Sequence, residues 1–146
     1  MAINEELKIR ELETDELAKA YPVICQLRTH LSLEDYVEQA KYMISEGYKI
    51  VCLFEGDSIM SYAGFAKQFS LSSGNFAWVY DLVTDKENRG KGYAKMLLSH
   101  IEKWAQANSL SCVALSSKIQ RDEVNKFYEE SANYNKINYV FKKSTS

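Results

Sequence analysis

Apolar and polar residues alternate over residues 7–12 (L-K-I-R-E-L), the period-two pattern of a half-buried strand. Thr14 then has the character of a helix N-cap, with Asp15, Glu16 and Leu17 opening the helix. Pro22 removes a backbone donor and predicts a kink or an end near the middle of that helix. A second helix is expected from Ser32, whose hydroxyl can cap it. Tyr36, Val37, Ala40, Met43 and Ile44 recur at helical spacing, and Gly47 suits the stop. Residues 48–54 and 58–68 flank Glu55-Gly56-Asp57 as a hairpin, and a polar turn at 70–74 leads to a strand at 76–84, so an antiparallel meander is expected. After a polar, glycine-containing stretch at 85–93, Ala94, Leu97, Leu98, Ile101, Trp104 and Ala105 follow the i, i+3, i+4, i+7 rule of an amphipathic helix. The short strand expected at 111–116 should run parallel to the strand at 76–84, because a strand–helix–strand crossover joins them. A helix over 121–130 with Val124, Phe127 and Tyr128 on one face, a last strand over 134–141 and a frayed end at 142–146 complete the pattern. The order β α α β β β α β α β describes an α/β fold, a mixed and mostly antiparallel sheet with helices on its faces.

The chain has 146 residues, the size of one domain, and shows no linker or repeat, so a single domain over 1–146 is expected. Its net charge of −2 gives no electrostatic case for nucleic acid. No run of about 18 apolar residues exists to span a membrane, and the first eight residues lack a secretory apolar core. Cys25, Cys52 and Cys112 are far apart and odd in number, which reads as free, mostly buried thiols of a reducing cytoplasm. His30 and His100 fall in no metal-binding pattern, so no metal is implied. Ten Tyr and six Phe are many for this length; most should be core and some should line a cleft.

The segment 85–94 (D-K-E-N-R-G-K-G-Y-A) sits between a strand and a helix N-terminus. There the first amides have no intrahelical partner and the helix dipole adds partial positive charge, so phosphate is a natural ligand. Gly90 and Gly92 permit unusual backbone angles and close approach, while Arg89 and Lys91 add charge. Glycines alone would equally fit a plain tight turn. The segment has neither the G-x-x-x-x-G-K-[ST] of a nucleoside triphosphatase nor the G-x-G-x-x-G of a dinucleotide site.

The run Asp81-Leu82-Val83-Thr84-Asp85-x-x-x-Arg89-Gly90-Lys91-Gly92-Tyr93-Ala94-x-x-Leu97-Leu98 resembles the central motif of the GNAT superfamily of N-acetyltransferases. Arg89, Gly92 and Ala94 fill its fixed positions. Phe127-Tyr128-Glu129 resembles the second motif of that superfamily, and Gly64 lies in a strand where relatives often carry glycine. The order of elements agrees from Leu7 to Phe141. Two positions depart from the pattern. Asn133-Tyr134 replaces the usual Gly-aromatic pair, although Asn tolerates the left-handed conformation, and Asn125 stands where many relatives have His.

The resemblance implies a GNAT-like sheet with a central β-α-β unit that binds acetyl-CoA as cosubstrate. Backbone groups of Leu82, Val83 and Thr84 would meet the pantetheine and acetyl groups, and the amides of Arg89, Gly90, Lys91, Gly92, Tyr93 and Ala94 would hold the pyrophosphate. It implies direct attack by a primary amine, with an oxyanion-stabilising amide and with proximity supplying much of the rate. Tyr128 takes the family position of the general acid that protonates the departing thiolate. An alkylammonium has a pKa of about 10, so a proton acceptor is also needed; Asp81 is the candidate, against the plainer reading of a hydrogen-bonded strand carboxylate. Lys118, Arg121, Ser116 and Ser117 are candidates for cofactor contact, against ordinary surface roles. Arg28, Thr29, His30 and Tyr36 fall in the region that shapes the acceptor site in relatives. The partner implied is a small-molecule or protein amine, with a homodimer allowed and neither nucleic acid nor membrane involved. Alternatives that stay open are a non-catalytic acyl-CoA-binding or sensory module on the same fold, a nucleotide-binding phosphate loop of another class, and an enzyme using a longer acyl chain.

Overall fold

The computed structural model describes residues 6–119 and 121–145. Residues 1–5 of the N-terminal stretch and Ser146 of the expected frayed end lie outside them. The chain divides into two compact units, Met1–Ala114 and Leu115–Ser146.

In the first unit, β1 (Leu7–Glu11), β2 (Lys49–Glu55), β3 (Ser58–Ser70) and β4 (Gly74–Thr84) pair antiparallel in sequence order. β5 (Val113–Leu115) adds to β4. There Ser111 N–H donates to the Asn75 carbonyl and Ala77 N–H to the Cys112 carbonyl, so residue numbers rise together as in the expected parallel pair. This is the mixed, mostly antiparallel sheet of an α/β fold. The hairpin turn at Gly56 has φ 59°, which glycine supplies without steric cost.

α1 (Leu17–Ile24) and α2 (Leu33–Ser45) cover one face of the sheet. Leu17, Ala20, Tyr36 and Ala40 pack there with Ile50, Cys52, Tyr62 and Val83 in a continuous buried cluster. α3 (Tyr93–Ala107) packs on β2, β3 and β4. Its buried stripe of Leu97, Leu98, Ile101 and Ala105 is the stripe that the spacing predicts. Trp104, expected in the core, is half-buried and meets Phe65 edge-on at a centroid distance of 5.0 Å.

Local signals hold at α2: Ser32 Oγ accepts from Asp35 N–H, and Gly47 ends the helix at φ 107°. They shift at α1. Thr14 is the first residue of a 3-10 turn (Thr14–Glu16) and is not its cap. The reason is Glu16, whose carboxylate accepts from Glu13 N–H and from Arg10 at 2.8 and 2.7 Å, bonds that hold its pKa down to about 2. α1 ends two residues past Pro22, so the proline lies near the end of the helix and not at its middle.

The second unit departs further from the pattern. α4 (Asp122–Lys126) continues into a π-helical turn, Phe127–Ser131, with Val124, Phe127 and Tyr128 half-buried as expected. Asn133 has φ 61°, the left-handed turn that replaces glycine here. The strand expected over 134–141 does not form. Tyr134, Ile137, Tyr139, Val140 and Phe141 are residue types that strands favour, but a strand needs a paired edge, and Phe141 is 92% exposed. Among the cysteines only Cys52 is buried; Cys25 is intermediate and Cys112 exposed, and all three are free.

Candidate active site

The expected phosphate loop has the geometry its sequence suggests. Gly90 and Gly92 adopt φ 83° and 81°, and a Cβ at either position would meet no atom within 4 Å. The first intrahelical bond of α3 runs from Met96 N–H to the Gly92 carbonyl, and no side chain caps the amides before it among the described residues. These free donors at the positive end of a fifteen-residue helix could hold a diphosphate. Arg89 Nε donates to the Thr84 carbonyl at 3.2 Å, and Lys91 Nζ to Asn88 at 3.2 Å, which keeps both charges beside the loop. Gln26 clamps its start: Nε2 donates to Asp85, and Oε1 accepts from Lys86 N–H at 2.9 Å. The Gln26 bond is the largest of the effects that lower the Asp85 pKa.

The end of β4 is equally fixed. Ser61, fully buried, donates to the Val83 carbonyl and shares a hydrogen bond with Thr84, while Asp85 N–H donates to the Met60 carbonyl. Leu82, Val83 and Thr84 therefore run into the loop in one fixed conformation.

Upstream on the same strand, Gly64 pairs with Asp81 and Phe65 with Val79, leaving Tyr80 as an extra residue in a β-bulge. A bulge reverses the parity of side chains. Val79 shares the face of Phe65, toward Trp104 of α3, whereas Asp81 and Val83 face α1 and α2 with Gly64 and Tyr62. Strict alternation along β4 would have put Asp81 on the Val79 face.

Because of that inversion, Asp81 opens into a cavity of about 340 Å³ under α1 and α2. Its carboxylate, 11% exposed, is held from two sides. Arg28 Nε donates to Oδ1 at 2.8 Å and Tyr48 donates to Oδ2. Arg28 Nη2 also donates to the carbonyl of the bulged Tyr80. Tyr36, Tyr48 and Tyr62 form a buried chain of hydroxyls, 2.9 Å between Tyr36 and Tyr62 and 3.2 Å between Tyr62 and Tyr48. Burial raises the pKa of all three, so they stay phenols and Tyr48 remains a donor to Asp81. Gly64 makes this possible: a Cβ there would overlap the Tyr48 ring and hydroxyl.

Arg28, His30 and Tyr36 thus line the cavity, as the region around them suggested, while Thr29 does not. Tyr48, Tyr62 and Tyr80 carry no individual signal in the sequence. The only hints are the surplus of tyrosine and the glycine at 64.

Tyr128 belongs to the second unit. It is half-buried between Phe127 and Tyr134, at centroid distances of 5.4 and 6.2 Å, and burial raises its pKa. Lys118, Arg121 and Ser116 are exposed. Ser117 Oγ is buried without a hydrogen-bond partner among the described residues, the state of a hydroxyl that a ligand could satisfy. Asn125 donates to the Lys118 carbonyl at 3.2 Å. Among the described residues no group of His, Cys, Asp and Glu is placed to hold a metal, and no helix is long and apolar enough to cross a membrane.

Comparison with known proteins decides the family. Residues 8–134 match the Acetyltransferase (GNAT) family. The chain belongs to the GNAT acetyltransferase family. A Bacillus subtilis (strain 168) relative, the uncharacterized N-acetyltransferase YhdJ, is 35% identical over 130 residues, covering 88% of this chain and 92% of its own. Among solved structures, the aminoglycoside N-acetyltransferase AAC(6')-Iy in complex with CoA superposes with a TM-score of 0.87 at 10% identity, over 100% of this GNAT chain and 99% of that one. The aminoglycoside acetyltransferase meta-AAC0020 from an uncultured soil metagenomic sample, in complex with sisomicin, gives 0.79 at 17% identity over 96% and 95%. At those identities the solved structures speak for the fold, which is that of a GNAT acyltransferase.

Proposed function

We propose that this enzyme moves the acetyl group of acetyl-CoA onto the primary amine of a small acceptor bound in the Asp81 cavity. One observation carries the reading: a single strand, β4, presents Asp81 to a cavity and, three residues on, enters a loop of uncapped helix amides. An amine and a diphosphate-bearing thioester are thereby offered sites joined by Leu82, Val83 and Thr84, whose backbone would lie along the pantetheine arm. The amides from Arg89 to Ala94 would bind the pyrophosphate. The family match over 8–134 spans both units and supports reading them as one catalytic domain.

The amine nitrogen forms a bond to the acetyl carbonyl carbon, and the carbon–sulfur bond breaks. The ammonium gives up one proton to Asp81, directly or through water, before attack and a second to solvent as the tetrahedral intermediate collapses. The thiolate takes a proton from Tyr128, which is refilled from solvent, so one proton is released overall. The raised pKa of Tyr128 keeps it protonated across neutral pH, as an acid must be. A pure acyl-CoA sensor needs neither the acid nor a carboxylate-floored cavity.

Titration calorimetry with acetyl-CoA, with CoA, ATP and NAD as controls, tests the loop, and thiol release with an amine panel tests turnover. Tyr128→Phe should leave acetyl-CoA binding unchanged and lower kcat by about a hundredfold. Acetyl-CoA binding without turnover of any amine would favour the sensory module; preference for ATP or NAD would remove the reading.

A further inference from the structure

Resting on the assignment of this cavity as the acceptor site, we infer that the acceptor is a small zwitterion, a primary amine with a carboxylate a few atoms away and an apolar or aromatic side chain, as in an α-amino acid. Arg28 takes the carboxylate and Asp81 the amine.

The charges lining the cavity decide against a polycation. Among the described residues Asp81 is the one carboxylate on its wall, and it is already ion-paired with Arg28. A polyamine or a multiply charged aminosugar would find no second acid there, and its further ammonium groups would meet the guanidinium. A simple alkylamine would enter a site whose anion is already neutralised. A zwitterion matches the pair, one charge of each sign on each side.

The donors and acceptors agree. Arg28 spends Nε on Asp81 and one hydrogen of Nη2 on the Tyr80 carbonyl. Both hydrogens of Nη1 and the second of Nη2 have no protein acceptor among the described residues, and the side chain is 38% exposed. That is a free guanidinium edge, the group best suited to grip a carboxylate. Each Asp81 oxygen receives one bond and keeps capacity for another, so an ammonium can bind without dislodging Arg28 or Tyr48. Apart from His30 and Gln39 the remaining wall is apolar and aromatic, with Leu31, Met43, Tyr36 and Tyr80 on it to meet a side chain. A volume of about 340 Å³ is near the small end of ligand sites and suits a single amino acid. The reaction keeps the carboxylate intact: the amine becomes an acetamide, CoA leaves as the thiol, and one proton is released.

The test measures kcat/KM by thiol release for L-phenylalanine and L-methionine, against their carboxylate-free counterparts phenethylamine and 3-(methylthio)propylamine and against spermidine as polycation. The amino acids should exceed their counterparts by about tenfold or more. Arg28→Gln should erase that ratio, lowering the amino acids while the carboxylate-free amines hold or gain because Asp81 loses its ion-pair partner, and Arg28→Lys should restore part of it. Equal or better use of the carboxylate-free amines or spermidine by the wild type would overturn the inference, as would an Arg28→Gln effect equal on both series. Calorimetry with CoA present covers an inactive panel: binding of L-phenylalanine but not phenethylamine supports the assignment, and acetyl-CoA binding with no binding of either amino acid sinks it alone. Failure to bind acetyl-CoA would instead remove the underlying function.

Discussion

The amide loop at the start of α3 and the tyrosine-walled cavity over β4 are built by opposite means. The loop is local: ten consecutive residues, two of them glycines, place backbone donors at a helix end. The cavity is assembled from side chains on α1, the α1–α2 connection, α2, Tyr48 just before β2, β3 and β4. On the proposed reading, the local backbone site, written in one stretch of sequence, serves the cofactor that the family shares, and the site made from distant side chains, which can be changed one residue at a time, serves the acceptor. Variants that strike one region and spare the other test this division.

The largest effect is expected at Asp81. Asp81→Asn keeps the size and one acceptor oxygen but removes the charge proposed to meet the amine. It should lower kcat/KM for the acceptor by about a hundredfold, while the acetyl-CoA dissociation constant measured by calorimetry stays within about twofold. A matching loss of acetyl-CoA affinity would show that the two regions are not separable.

Gly64→Ala should come next. Its Cβ must displace the Tyr48 ring, breaking the Tyr48–Asp81 bond and the hydroxyl chain behind it. Overpacking and a lost charged hydrogen bond together cost about 2–3 kcal/mol, visible as a lower denaturation midpoint. Acceptor KM should rise with it. If Tyr48→Phe restores most of the stability of Gly64→Ala, the hydroxyl is the point of conflict; if it does not, the ring itself is.

On the loop side, Gly92→Asn is the informative change. Asn tolerates the left-handed backbone better than other side chains, so the fold should lose only about 1 kcal/mol. The side chain would nevertheless enter the open space that a Cβ at Gly92 faces. Acetyl-CoA should bind about tenfold more weakly, with acceptor specificity unaltered. Unchanged affinity would mean that the diphosphate does not approach this glycine.

The loop is legible in the sequence because its three signals, charge, glycine and helix start, lie within a few residues. The cavity is not, for a physical reason. Alternation along 76–84 assigns Asp81 and Val79 to one face, and only the bulge at Tyr80 separates them. A bulge has no reliable local signature, since Tyr80 is an ordinary strand residue. Gly64 is visible as a glycine in a strand, but its meaning depends on Tyr48 crossing over it from the position just before β2. Elsewhere composition overreaches. Residues 134–141 have the composition of a strand without its pairing, and composition does not report whether a neighbour exists to hydrogen-bond the backbone.

The smallest effect, and the one that probes the joint between the two regions, belongs to Gln26. It lies two residues from Arg28 on the connection between α1 and α2, and its amide group holds both Asp85 and the Lys86 N–H. One short segment thereby grips the cavity floor with Arg28 and the loop entrance with Gln26. Gln26→Leu should cost about 1 kcal/mol at neutral pH and weaken acetyl-CoA and acceptor binding together by a few fold, unlike any of the variants above. The pH dependence has a definite sign. Asp85 has a folded-state pKa below its ordinary 3.8, so its contribution is present above that value and is lost as pH falls through the lowered folded pKa. The stability gap between wild type and Gln26→Leu, measured by denaturant unfolding, should therefore be full at neutral pH and narrow in strong acid, where Asp85 is protonated in both proteins. A gap that stays constant into acid would place the stabilisation in the neutral bonds to Pro22 and Lys86, leaving Asp85 no part in coupling the loop to the cavity.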